Sequence, residues 1–185
     1  MRISKVTTRT GDEGQTSLAN GQRVGKASAR IAAIGDVDEL NSLIGLVRTK
    51  PGEASGGPLL EAIQHHLFIM GGDLATPEGA SAPSGLRRIS ESEVAQIEAQ
   101  LQPINSSLPP LREFILPGGS ETGALLHLAR SVARRAERSV AALATAEPIN
   151  PQLLIYLNRL SDLLFVLARQ VNRQSGVPET GAQFH

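Results

Sequence analysis

Near the end of the chain, Leu153, Leu157, Leu160, Leu164, Leu167 and Val171 recur at alternating steps of four and three. Only an α-helix returns side chains to one face at that spacing, so this stretch must bury one side against other elements. The period appears four more times. Ala33, Val37, Leu40, Ile44 and Val47 mark a helix within Ala27–Lys50, and Leu60, Ile63, Leu67, Met70 and Leu74 mark a second. Val94, Ile97, Leu101 and Ile104 mark a third, opened by Ser90 and Glu93 at capping-box spacing. Leu125, Leu128, Val132, Ala136, Ser139 and Leu143 give the inward stripe expected of a fourth, from about Glu121 to Ala146. Asn150 can cap the fifth, Pro151 suits its first turn, and Gly176 and Pro178 end it.

Only 3 % of the 185 residues are aromatic, so Leu, Ile, Val and Ala must fill the core, which suits interdigitating helices. No convincing alternating strand is present. The sequence therefore predicts an all-α five-helix bundle in a single domain spanning residues 1–185. Residues 1–26, rich in Gly, Thr and charge, read as an irregular N-terminal arm; residues 27–174 form the bundle and residues 175–185 a mobile tail. Thr76 to Arg88 reads as a flexible surface loop. The prolines of SSLPPLREFILPGGS forbid a regular helix there.

Composition excludes several functions. Lys plus Arg and Asp plus Glu number 18 each, which leaves no net cationic footprint for nonspecific binding to nucleic acid. There are no cysteines, hence no disulfide, thiolate metal site or cysteine nucleophile. No apolar run approaches the ~20 residues of a membrane span, and the N-terminus lacks a hydrophobic signal region. A cytoplasmic protein is expected.

Chemistry is concentrated in the fourth helix. At about 100° per residue, Arg130, Arg134 and Arg138 share a face away from the apolar stripe, with Glu137 beside them and His127 and Ser131 on the same side. Such a stripe is either a solvated face or a cradle for a polyanion, because the guanidinium fork fits phosphate oxygens. In the arm, TRTGDEGQTS places Gly11 and Gly14 before Thr16 and Ser17, with Lys26 further on. Glycines let backbone N–H groups approach a phosphate, though a plain turn has the same composition. No Gly-Lys-Ser/Thr follows, so this is not a Walker A loop. Arm and arginine stripe together would make two halves of a triphosphate site.

Asp38, Asn41 and Gly45 form a small polar face on the first helix, with Arg30 two turns earlier. It fits ordinary exposure or contact with another helix or subunit. Asn158, Asp162, Phe165 and Arg169 flank the seam of the fifth helix, either solvated or with polar partners. Phe114 is either a core anchor or the wall of a pocket for a flat ligand. His65 and His66 are adjacent, so they point to different faces and read as structural or exposed.

Six motifs in order, TRTGDEGQTSL, RVGK, GDVDELNSLIG, FILPGGS, LHLARSVARRAER and YLNRLSDLLFVLAR, carry a resemblance over about Ile3 to Asn172. The chain closely resembles the PduO-type ATP:corrinoid adenosyltransferases. That resemblance implies a five-helix bundle assembled as a homotrimer with active sites between subunits. It implies transfer of the 5′-deoxyadenosyl group of ATP to the cobalt of reduced cobalamin, with ATP and cob(I)alamin as substrates, Mg²⁺ as companion ion, and a reductase as a possible partner. It also implies site residues. Thr8, Arg9, Thr10 and Gly11 would wrap ATP, and Thr16, Ser17 and Lys26 would complete the phosphate contacts. Arg134, Arg135, Glu137, Arg138 and Asn158 would face the nucleotide, with Lys26, Arg134 and Arg138 holding the leaving triphosphate. Arg130 would pair with Asp38 of a neighbouring subunit, and Phe114 would press on the corrin and displace its lower axial ligand. No protein metal ligand is expected. A nucleotide-binding sensor or adenosylcobalamin carrier, and a scaffold bundle without a small-molecule site, are the alternatives.

Overall fold

The computed structural model describes residues 7, 9–50, 57–80 and 84–184. It contains a hairpin of β1 (Gln15–Ser17) and β2 (Arg23–Gly25), then helices α1 (Ala29–Arg48), α2 (Gly57–Leu74), α3 (Glu91–Ser107), α4 (Glu121–Ala146) and α5 (Gln152–Gln174). The expected five-helix bundle is therefore present. α4 is the central helix, packed against α1 on one side and α5 on the other, while α2 packs on α1 and α3 on α5. α1 and α4 run antiparallel. Arg30 bonds Glu147 at one end of the pair, Ser139 donates to Asp36 in the middle, and Lys50 meets Glu121 at the other end.

Local chemistry sets the helix starts. The Ser90 hydroxyl accepts from the Ser92 N–H, and the Glu93 carboxylate accepts from the Ser90 N–H, which completes the expected capping box. Ser28 and Ser120 cap α1 and α4 through their hydroxyls. Asn150 Oδ1 accepts from the Gln152 N–H at the start of α5, with Pro151 between them. The Asn150 amide also donates to Asp73 and to the Ile89 carbonyl, tying α5 to α2 and to the approach to α3.

Three expectations are corrected. The arm is not wholly irregular: Thr16 pairs with Val24 and Ser17 with Arg23 in an antiparallel register. Strands of three residues are too short for alternation to show in the sequence. The buried face of α4 is also wider than the expected stripe, of which Val132, Ala136 and Leu143 are buried as expected. Leu128 is 52 % exposed, whereas Leu126, Ala129, Ala133, Ala136, Val140 and Leu143 are buried. A helix gripped on two sides buries a wider arc than one stripe of leucines marks. The wider arc takes in His127, at 3 % exposure, beside half-buried Arg130, with which it shares the Phe165 ring. Finally, the segment after Gly176 is docked on the bundle rather than loose, as described below.

The loop after α2 is tied at both ends. Thr76 is buried and its hydroxyl donates to the Gly72 carbonyl, while Arg88 bridges Asp73 and Glu78.

Two buried histidines make stability depend on pH. His66 Nδ1 lies 3.1 Å from the hydroxyl of fully buried Tyr156. Burial lowers the pKa of His66 from 6.5, against the pull of Glu93. Burial also lowers His127, helped by Arg130, and neither of its ring nitrogens finds a hydrogen bond among the described residues. Both rings stay neutral in the folded chain where the unfolded chain already takes up protons. Stability is therefore expected to be full above 6.5 and to fall as pH drops through that value toward the lowered folded pKa values. Melting temperatures followed down from neutral pH should decline, and His127→Leu should flatten the decline; a flat wild-type profile would contradict this.

Candidate functional site

The arm gathers one group of the expected site residues. Arg9 sits at φ 58°, a left-handed conformation that costs a non-glycine residue about 1 kcal/mol. The Lys26 N–H donates to the Gly14 carbonyl, folding the hairpin back on the glycine turn. A Cβ at Gly11 would lie 3.1 Å from Lys26 Nζ, so glycine lets the ammonium rest over the arm backbone. Arg9, Thr10, Asp12, Glu13, Ser17 and Arg23 surround an open depression of about 740 Å³. Thr8 lies outside the described residues.

Arg23 is a member that sequence reasoning missed. Its guanidinium donates to the Thr10 carbonyl at 2.7 Å and the Ser17 hydroxyl at 3.3 Å, stapling the turn to the hairpin. The signal was the cross-strand pair Ser17–Arg23, invisible until the hairpin register is known. The arm joins the bundle through buried Leu18 and through the Ala19 N–H, which donates to the Ala75 carbonyl at the end of α2.

The second group of expected residues lies on α4 and α5. Arg134 and Arg138 are exposed, and neither has a carboxylate partner among the described residues; Arg138 donates only to the Arg134 carbonyl. Glu137 accepts from the Asn158 amide at 3.1 Å, which brings those two residues together across α4 and α5. Asn158 Oδ1 in turn accepts from Arg159. Arg135 is placed differently: its guanidinium is taken up by Asp36 and Glu39 of α1, and its hydrogen bond to Glu39 is the main reason its pKa is raised.

Arg130 is half-buried, its guanidinium 5.9 Å over the Phe165 ring, and its Nε has no partner among the described residues. Burial and then Arg134 lower its pKa. Asp38 is exposed on α1 and forms no ion pair within the chain among the described residues. It borders an apolar cavity of about 420 Å³ between α1 and α2, next to Asn41, Leu67 and Phe68. Phe68 is itself 79 % exposed.

Phe114 is not a core anchor. It is 76 % exposed, on the connection between α3 and α4. Its ring meets Phe184 edge-on at 6.3 Å. Among the described residues no group of three His, Asp or Glu gathers as a metal site, and no helix is long and apolar enough to cross a membrane.

Residues 6–171 match the cobalamin adenosyltransferase family. The chain belongs to that family. It is 52 % identical to a cobalamin adenosyltransferase of Cupriavidus metallidurans over 177 residues, covering 95 % of this chain and 92 % of that one. It is 44 % identical to a corrinoid adenosyltransferase of Bacillus subtilis, covering 94 % and 89 %. Among solved structures, a PduO-type ATP:corrinoid adenosyltransferase of Lactobacillus reuteri, a Phe-to-Ala variant complexed with cobalamin and ATP, superposes with a TM-score of 0.92 at 36 % identity. That match covers 97 % of this chain and 100 % of the other. An Arg-to-Lys variant of the same enzyme, complexed with ATP, superposes with a TM-score of 0.88 at 36 % identity, covering 96 % and 100 %.

Proposed function

We propose that this protein transfers the 5′-deoxyadenosyl group of ATP to the cobalt of cob(I)alamin. The observation that carries the proposal is the pair Arg134 and Arg138, exposed on one helix face with no carboxylate partner among the described residues, in a chain of this family. Exposed guanidiniums without carboxylates there are ready for the oxygens of a triphosphate.

The chemistry asks little else of the protein. Cobalt(I) is the nucleophile: the Co–C5′ bond forms as the C5′–O bond breaks, and the electron pair departs on triphosphate. No Ser or Cys nucleophile is needed. The protein must place C5′ in line with cobalt and stabilise the leaving charge. Arg134, Arg138 and Lys26 serve the leaving group; Arg9, Thr10, Gly11, Thr16 and Ser17 hold the nucleotide, and Thr8 belongs with them by sequence. Glu137 and Asn158 orient the nucleotide as a bonded pair. Arg135, engaged by Asp36 and Glu39, supports the α1–α4 packing beneath that face. Phe114, exposed and apolar, meets the corrin and excludes the lower ligand. Magnesium accompanies ATP through its phosphates; the described residues offer no acidic cluster to hold it, and no step depends on a protein-bound ion.

The proposal includes a homotrimer. Asp38 and Arg130 each lack an ion-pair partner among the described residues, and the apolar cavity beside Asp38 with exposed Phe68 is a face that a second copy would cover. Asp38→Ala is expected to weaken the trimer in sedimentation and to reduce turnover. A fully assembled, fully active Asp38→Ala variant would remove the pairing from the account. A reductase is a possible source of Co(I), and a cysteine-free chain suits the cytoplasm.

Mixing the protein with ATP, Mg²⁺ and chemically reduced cobalamin should give the adenosylcobalamin spectrum. A folded sample that binds ATP without producing it would favour a carrier or sensor instead.

A further inference from the structure

We infer that Arg169 and Glu179 are positioning residues that clamp the C-terminal segment as a strap on the Phe114 connection, and that this clamp sets Phe114 for its work on the corrin. The inference rests on the corrin-facing role proposed for Phe114 and extends to Arg169, which closes the YLNRLSDLLFVLAR motif, and to Glu179, which lies beyond the motifs.

Arg169 lies on α5, 4 % exposed. A buried guanidinium must have its donors satisfied. Nε donates to Glu179 at 2.6 Å, and Nη2 donates to Glu179 at 3.2 Å and to the Pro109 carbonyl at 2.8 Å. One side chain thus holds the start of the Phe114 connection and the middle of the C-terminal segment. The same guanidinium sits 5.9 Å over the Phe165 ring, which braces it from the other side.

Beyond the clamp, the C-terminal segment runs along the Phe114 residues as a strand would. The Leu116 N–H donates to the Thr180 carbonyl at 2.8 Å, and the Ala182 N–H donates to the Phe114 carbonyl at 2.7 Å. Ile115 and Gly181 form an antiparallel bridge between those bonds. Phe184 then meets Phe114 edge-on. The backbone of Phe114 is therefore held by the strap, and its ring touches the strap's end.

Cavities of about 330 and 300 Å³ lie on either side of Pro178 and Glu179. With open clefts beside it, the segment draws on its polar anchors, the Arg169–Glu179 pair among them, so loss of Glu179 should loosen it while the bundle core stays intact.

The test is Glu179→Ala and, separately, a chain ending at Val177, each compared with wild type and each repeated in a Phe114→Ala background. Glu179→Ala should speed amide exchange at Leu116 and Ala182, lower kcat with cobalamin about tenfold, and leave the KM for ATP unchanged. Glu179→Gln, which keeps an acceptor for Arg169, should recover part of the loss. In the Phe114→Ala background the same substitutions should cost little more, because they act through Phe114. Unchanged exchange at Leu116, an equal loss in both backgrounds, or a parallel rise in the KM for ATP would overturn the inference. Should Phe114→Ala itself leave cobalamin turnover intact, the reading of Phe114 fails. Exchange at Leu116 then still decides the clamp: faster exchange supports it and unchanged exchange overturns it.

Discussion

Arg134→Ala is expected to lower kcat/KM for the adenosyl transfer by about 10²- to 10³-fold, the loss typical when one preorganised group facing developing charge is removed. The same substitution should leave the melting temperature close to wild type. Arg134 is exposed, lies outside the buried face of α4 and has no carboxylate partner among the described residues, so its truncation breaks no ion pair there. Surface changes of that kind usually stay within about 0.5 kcal/mol. Arg134→Lys keeps the charge but loses the planar fork, and should fall between the two. The contrast with Arg135 sharpens the test: Arg135→Ala breaks contacts to Asp36 and Glu39 at the α1–α4 seam, so part of its effect should appear in thermal unfolding. Equal losses of stability and activity in Arg134→Ala would mean that this side chain is structural.

Asn172→Ala is expected to be the most destabilising of the substitutions considered. Its amide donates to the Gly118 carbonyl at 2.8 Å, and its Oδ1 accepts from the Ser120 N–H and hydroxyl, each at 2.9 Å. Ser120 is also the N-cap of α4, so the amide orients the cap that starts the arginine helix. Gly119, at φ 109°, and Gly123 crowd so closely on Asn172 that a Cβ at either would overlap its amide. Truncation leaves two backbone groups unsatisfied beside a cavity, a cost of about 2–4 kcal/mol. At roughly 2–4 °C per kcal/mol for a chain of this size, the melting temperature should fall by about 5–15 °C. Differential scanning fluorimetry with and without ATP is the check, and an unchanged midpoint would show that the amide is dispensable.

Both predictions concern residues whose importance differs in legibility. The arginines were visible because a helix turns sequence spacing into a face. The helices themselves were legible for the same reason, down to the Ser90–Glu93 capping box. The breadth of the buried face of α4 was not, because its burial is set jointly by α1 and α5 rather than by its own leucines, and that arc takes in His127. The hairpin that gathers Arg23, Ser17 and Thr10 was hidden by its length. Asn172 and Arg169 stand beside the α5 seam; Asn172 is answered 52 and 54 residues away, and Arg169 both 60 residues back at Pro109 and ten residues on at Glu179, past the end of the helix, where no helical pattern names a partner. Arg169 drew attention as a polar residue needing an answer, and the answer was Glu179 in a segment expected to be loose. Phe114 left two readings open, and its exposure removes the core anchor.

The central claim is that the chain moves an adenosyl group to cobalt and releases an intact triphosphate. The most direct measurement is the stoichiometry of products from ATP and chemically reduced cobalamin under anaerobic conditions. One triphosphate per adenosylcobalamin is predicted, with both products lost together in Arg134→Ala. Release of phosphate or ADP without adenosylcobalamin would contradict the account.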